Sequence, residues 1–134
     1  EERGEGEGDG SEGKKNKLGI YVQVNTSGED TKSGVSPGEE LLSLLTAVTE
    51  SCPHLSVDGL MTIGAPGDYG CFDALVQCRR DAAEALGVEE SDLELSMGMS
   101  GDFEEAIKRG ATSVRVGSTI FGARDYSNLT KDKK

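Results

Sequence analysis

Two short stretches carry residue types that can bind an anion. Met97 to Phe103 reads MGMSGDF, and Arg115 to Gly122 reads RVGSTIFG. The first sets Gly98, Ser100 and Gly101, and the second Gly117, Ser118 and Thr119, between the end of a predicted strand and the start of a predicted helix. At such a junction backbone N–H groups without intrahelical partners lie beside the positive end of the helix dipole, and glycine lets an anion approach the backbone closely. Two adjacent junctions can hold one phosphate, whereas either alone is equally consistent with a tight turn. Arg115 adds weight because it falls inside a predicted strand, Ser113 to Gly117. A guanidinium in a buried parallel strand is costly unless it is paired or faces a ligand. Two partners are open to it, a ligand at the end of the sheet or a carboxylate such as Glu94.

Other chemistries find less support. The three cysteines, Cys52, Cys71 and Cys78, form no CxxC, and the single histidine, His54, stands two residues after Cys52. Zinc needs about four ligands at workable spacing, so these thiols are read as structural or incidental, with no metal expected. Net charge is −11, and residues 18–123 hold all of it, with 17 acids against six bases. An acidic body without a basic stripe repels phosphodiester backbones, so nucleic acid is not an expected partner.

The elements that must position the two junctions alternate along the chain. Leu18 to Thr26 reads as a strand, Pro37 to Ser51 as a helix with Ser36 as N-cap and Pro37 at its first position, and Val57 to Gly64 as a second strand. Phe72 to Leu86 reads as a helix closed by Gly87, and Leu93 to Gly98 as a third strand. Asp102 to Arg109 reads as a short helix in which Asp102 and Glu105 resemble a capping box, with Gly110 ending it before the fourth strand. Four successive βα units imply an α/β fold with a parallel sheet covered by helices. A doubly wound sheet satisfies this pattern, and so does half of a (β/α)8 barrel, a fold that typically needs about 250 residues.

In the first strand Ile20, Val22 and Val24 share one face, and Tyr21, Gln23 and Asn25 share the other. In a half-barrel the inward face is expected to hold Gln23, Leu60, Thr62, Ser96 and Arg115. Leu, Ile, Val and Phe make up 21% of the 134 residues, just enough for a core in a charged chain. Residues 1–17 alternate Gly with acids and read as a disordered linker or insertion, and 127–134 as a disordered tail. No apolar run approaches the ~20 residues of a membrane span, and the first residues lack an apolar signal region. The expectation is a soluble cytoplasmic protein with no membrane contact, an organelle interior being the alternative.

Leu95 to Tyr126, LSMGMSGDFEEAIKRGATSVRVGSTIFGARDY, resembles the pyridoxal phosphate homeostasis protein family, single-domain relatives of the alanine racemase barrel. VQVNTSGEDTKSG (Val22 to Gly34) and GLMTIG (Gly59 to Gly64) are similar to its preceding units, and the resemblance covers about residues 18–126. It implies a pyridoxal 5′-phosphate (PLP)-binding (β/α)8 TIM barrel of which this chain supplies the C-terminal half, strands five to eight. The phosphate is implied to sit against Ser100 and Gly101 after the seventh strand and against Gly117, Ser118 and Thr119 after the eighth. Arg115 is implied to approach the pyridine nitrogen. There a guanidinium disfavours ring protonation and leaves a weak electron sink, which suits storage better than racemisation. Met97 or Met99 is placed against the ring, with core packing as the alternative for each.

The resemblance also implies a Schiff-base lysine on the first barrel strand, in the half outside this sequence. Of the lysines here, Lys17 precedes a strand, Lys108 is on a helix and Lys32 is in a loop at the mouth, a solvated position. The chain is therefore expected to be a C-terminal piece, through truncation, a partial gene model or a split barrel, completed by the N-terminal half or by self-association. The implied function is PLP binding in intracellular vitamin B6 homeostasis, with no complete catalytic set and so no enzyme activity expected. An alanine-racemase-like enzyme fragment and a phosphate-binding interaction module are the alternatives.

Overall fold

Apolar residues at alternate positions of the first strand dictate a core on one side of a sheet, and helices supply its other half. The computed structural model describes residues 17–28, 33–65 and 67–122, in which β1 (Leu18–Gln23), α1 (Glu39–Ser51), β2 (Leu55–Met61), α2 (Gly70–Leu86), β3 (Glu94–Ser96), α3 (Phe103–Lys108) and α4 (Ser118–Phe121) follow in order. Residues 1–16 of the expected linker, Lys32 and the expected tail 127–134 lie outside the described residues. The strands pair in the order β1-β2-β3, all parallel, so each connection is a crossover carrying a helix. This is the α/β architecture with a parallel sheet that the sequence predicts.

Register settles which residues face the core. Val22 pairs with Leu60 and Leu60 with Leu95, and all three are buried against Leu41 and Leu45 of α1 and Phe72 and Leu75 of α2. Gln23, Met61 and Ser96 form the neighbouring row, whose side chains therefore point to the opposite face. Leu60 accordingly does not belong to the inward set expected from the sequence; Met61 takes its place. Thr62, which follows Met61, is likewise buried on the side of Leu60, at 1% exposure. GLMTIG is apolar at both parities, so alternation there could not say which parity faces the helices.

Helix boundaries differ from expectation at the N-terminal ends. Gly38, at φ +95°, precedes α1, and Ser36 does not cap it; its N–H donates to Glu40 Oε1 at 3.0 Å instead. The α2 helix begins at Gly70, two residues early, and ends as predicted at Gly87, with φ +73°. Asp102 forms no capping box; its Oδ1 accepts the Met99 N–H at 2.8 Å and so ties the loop before α3 to itself.

The predicted fourth strand is reduced to a single parallel bridge between Ser96 and Ser113. The ladder starts regularly, with Ser113 N–H donating to the Leu95 carbonyl and Met97 N–H to the Ser113 carbonyl, each at 3.1 Å. Arg115 N–H should then donate to Met97, but it donates to Gly98 at 2.9 Å. Gly98 has φ +104°, which turns its carbonyl into the ladder one residue late and ends the regular pairing. A Cβ at Gly98 would lie 2.6 Å from Ala106 Cβ, so α3 also packs against that backbone. Among the described residues no helix is long and apolar enough to cross a membrane.

Gly98→Ala, which combines a positive φ with this overlap, should lower stability by about 2–3 kcal/mol in urea unfolding. Gly101→Ala is the control, because nothing lies within 4 Å of its added Cβ, and it should cost less than about 1 kcal/mol. Equal effects of the two substitutions would contradict this account of the junction.

Candidate phosphate-binding site

One side chain joins the two Gly/Ser junctions. Ser100 Oγ accepts the Gly117 N–H at 3.0 Å and the Thr119 N–H at 3.1 Å. The loop after β3 is thereby fastened to the start of α4. A cleft of about 460 Å³ opens beside them, lined by Met99, Ser100, Gly101, Arg115, Val116, Gly117 and Ser118. Of the expected phosphate contacts only Thr119 does not line the cleft, although its N–H belongs to the same cluster of donors. An added Cβ at Gly101 or Gly117 would meet nothing within 4 Å, so the backbone there is open to a ligand. Ser118 opens α4, and its N–H has no intrahelical partner. The α4 helix is only four residues long and α3 only six, so attraction for an anion rests on individual N–H groups more than on a helix dipole.

Arg115 is half-buried at the rim of this cleft. Its Nη2 donates to the Thr62 carbonyl at 2.6 Å, while its Nε is buried without a hydrogen-bond partner. Burial pushes the guanidinium below its usual pKa and the charge of Asp102 opposes that shift, but arginine keeps its proton regardless. No ion pair with Glu94 forms. Glu94 starts β3 and bonds the Tyr21 hydroxyl across Gly59, whereas Arg115 pairs beside Gly98, roughly 13 Å further along the strand direction. Gly59 is needed there, because a Cβ would lie 2.4 Å from the Glu94 carbonyl oxygen.

The two methionines divide their roles. Met97 is fully buried in the core, whereas Met99 is 42% exposed and lines the cleft. Two contributors to the site were not anticipated. Val116 lines the cleft, and a main-chain carbonyl, that of Thr62, holds Arg115; no residue type in the sequence could signal the latter. Lys17 is exposed just before β1, and Lys108, on α3, bridges to Glu105 at 3.5 Å. Neither lysine lines the cleft.

The α3 helix is held in place from outside the cleft. Arg109 bonds Asp73 of α2 at 2.7 Å and Glu105 at 3.4 Å, and lies over the Tyr69 ring, which stacks on Phe72. Among the described residues no cluster of three or more His, Cys, Asp or Glu side chains could hold a metal ion.

Residues 8–125 match the family model described as alanine racemase, N-terminal domain. The chain belongs to this family. It is 48% identical over 116 residues to the pyridoxal phosphate homeostasis protein of Mus musculus, covering 82% of this chain and 42% of that one. The protein of the same name from Caenorhabditis elegans is 49% identical over 83% of this chain and 48% of its own, and that from Haemophilus influenzae 42% identical over 82% and 47%. The chain thus spans just under half the length of these relatives. Among solved structures, an unknown protein from Bifidobacterium adolescentis superposes with a TM-score of 0.66 at 38% identity, covering 78% of this chain and 43% of that one.

Ser100→Ala removes the acceptor shared by Gly117 and Thr119. Amide hydrogen exchange at those two residues should accelerate several-fold, with the core strands unaffected; unchanged rates would contradict the observed fastening. The cysteines give a second check. Burial, with the charge of Asp81 adding to it, pushes the Cys78 thiol up to about 11, and thiolate is the reactive form. Iodoacetamide at pH 8 should therefore label half-buried Cys52 well before Cys78, and the reverse order would contradict the observed packing.

Proposed function

We propose that this chain binds the phosphate of PLP between its two Gly/Ser junctions and serves in intracellular PLP homeostasis. The observation that carries this reading is the convergence of Ser100, Gly101, Gly117 and Ser118 on one cleft, with the Thr119 N–H bound to Ser100 beside it and Arg115 at its rim. The donor set suits a phosphate monoester: several N–H groups, a hydroxyl and open backbone at two glycines. The names of the relatives from mouse, nematode and Haemophilus influenzae support the choice of PLP among phosphates.

Each residue then has a part. Ser118 N–H and Gly101 N–H donate to phosphate oxygens, and Ser100 either adds its hydroxyl or releases Gly117 and Thr119 to do so. Met99 covers one side of the ligand. When bound, PLP supplies an aldehyde and a pyridine ring able to draw electrons. Arg115 would stand toward the ring nitrogen as a permanent donor; a guanidinium can give no proton to that atom and so would keep the ring a weak electron sink. Such a site favours storage of the cofactor over turnover.

In this reading residues 18–126 are half of an alanine-racemase-like (β/α)8 barrel. The other four strands come from a preceding half or from a second copy. The row of Gln23, Met61 and Ser96 supports this, since its side chains lie on the sheet face opposite Leu60 and the helices, the face a barrel would enclose.

Titrating the 15N-labelled chain with PLP and, separately, with inorganic phosphate tests the proposal. Amide signals of Gly101, Ser118 and Thr119 should move with both ligands. Arg115→Leu should weaken PLP by about tenfold, the scale of one charge-assisted hydrogen bond, and leave inorganic phosphate nearly unchanged. A folded sample whose junction amides respond to neither ligand would overturn it.

A further inference from the structure

Parallel pairing on both sides of β2 stops at Thr62, and side chains take over the two hydrogen bonds that would come next. Val24 N–H still donates to Met61 at 2.8 Å, and Thr62 N–H to Ser96 at 3.1 Å. Continued pairing would bring Ile63 N–H to the Val24 carbonyl and Gly98 N–H to the Thr62 carbonyl. Instead the Val24 carbonyl accepts Thr62 Oγ1 at 2.8 Å, and the Thr62 carbonyl accepts Arg115 Nη2 at 2.6 Å. Thr62 Oγ1 also lies 2.8 Å from Thr26 Oγ1. A hydroxyl has one proton, and that of Thr62 goes to Val24, so the Thr26 hydroxyl must be the donor to Thr62.

We infer that Thr62 is the positioning residue for Arg115: its buried hydroxyl, locked between Val24 and Thr26, fixes the direction of the carbonyl that holds the guanidinium at the rim of the cleft. Thr62 is 1% exposed and does not line the cleft beside Arg115, so it acts through Arg115 and not on a ligand. Three of the four polar contacts around residue 62 tie it to Val24 and Thr26, just after β1, and to Ser96 at the end of β3. The fourth, the carbonyl, is thereby aimed. Arg115 has its main chain fixed by Gly98, and among the described residues the hydrogen bond of its guanidinium is to this carbonyl, which therefore orients it, with the charge of Asp102 nearby. The consequence for ligand selection rests on the PLP reading; the positioning itself does not.

The test follows the Arg115 Nε–Hε resonance in the 15N-labelled chain and then PLP and inorganic phosphate affinities. Thr62→Val keeps the shape and removes the hydroxyl. The Arg115 signal should shift and broaden, the Gly117 and Thr119 amides should stay in place, and PLP affinity should fall at least threefold with phosphate affinity unchanged. Thr62→Ser, which keeps the hydroxyl, should restore the Arg115 signal. If Thr62→Val loses amide dispersion, Thr26→Val removes one bond of the pair and should give a smaller shift in the same direction. An Arg115 signal unchanged from the parent in either folded variant would overturn the inference. A moved signal in a protein that binds no PLP would uphold the positioning and count against the PLP reading alone.

Discussion

Gly98 holds a backbone angle that other residues rarely adopt, and the site depends on it. With φ at +104° the chain leaves β3, brings its carbonyl to the Arg115 N–H and makes room for Ala106 of α3. Were the ladder to run on, Gly98 N–H would compete with the guanidinium for the Thr62 carbonyl. The Ser100 hydroxyl would also be carried away from Gly117 and Thr119. One residue of altered register therefore creates both halves of the cleft, the donors on one side and the arginine on the other.

Charge makes this local arrangement decisive. The residues between 18 and 123 carry −11, so the field of the molecule at a distance repels a phosphate. Screening confines that repulsion to a Debye length of about 8 Å at physiological salt. Within contact range, N–H groups and the Arg115 guanidinium act at hydrogen-bond distance in a partly desolvated cleft, where they outweigh distant carboxylates. In the proposed reading selectivity follows from geometry, because the junction donors would meet only the phosphate and Arg115 whatever the phosphate is attached to.

Much of this was legible in the sequence, for identifiable reasons. The helix end at Gly87, the core-facing pair Val22 and Val24, and the two Gly/Ser junctions are written in residue types with few structural alternatives. The face of β2 was misread because Leu60, Met61, Thr62 and Ile63 are acceptable at either parity, and only pairing with Val22 and Leu95 decides. The fourth strand was over-extended because SVRVG has strand composition throughout, while its regularity is lost at Gly98, on the partner segment. Ser36 looked like a cap, but the Pro37–Gly38 turn moves the helix start beyond its reach. The Thr62 carbonyl could not be foreseen, since every residue carries one.

The most direct test of a phosphate site between the two junctions is a crystal structure of the chain grown with PLP. Phosphate oxygens are expected at ~3 Å from the N–H groups of Gly101 and Ser118 and from either Ser100 Oγ or the N–H groups it now occupies, with Arg115 facing the ring nitrogen. PLP bound elsewhere, with Ser100 still bridging Gly117 and Thr119 and the cleft holding only solvent, would contradict it.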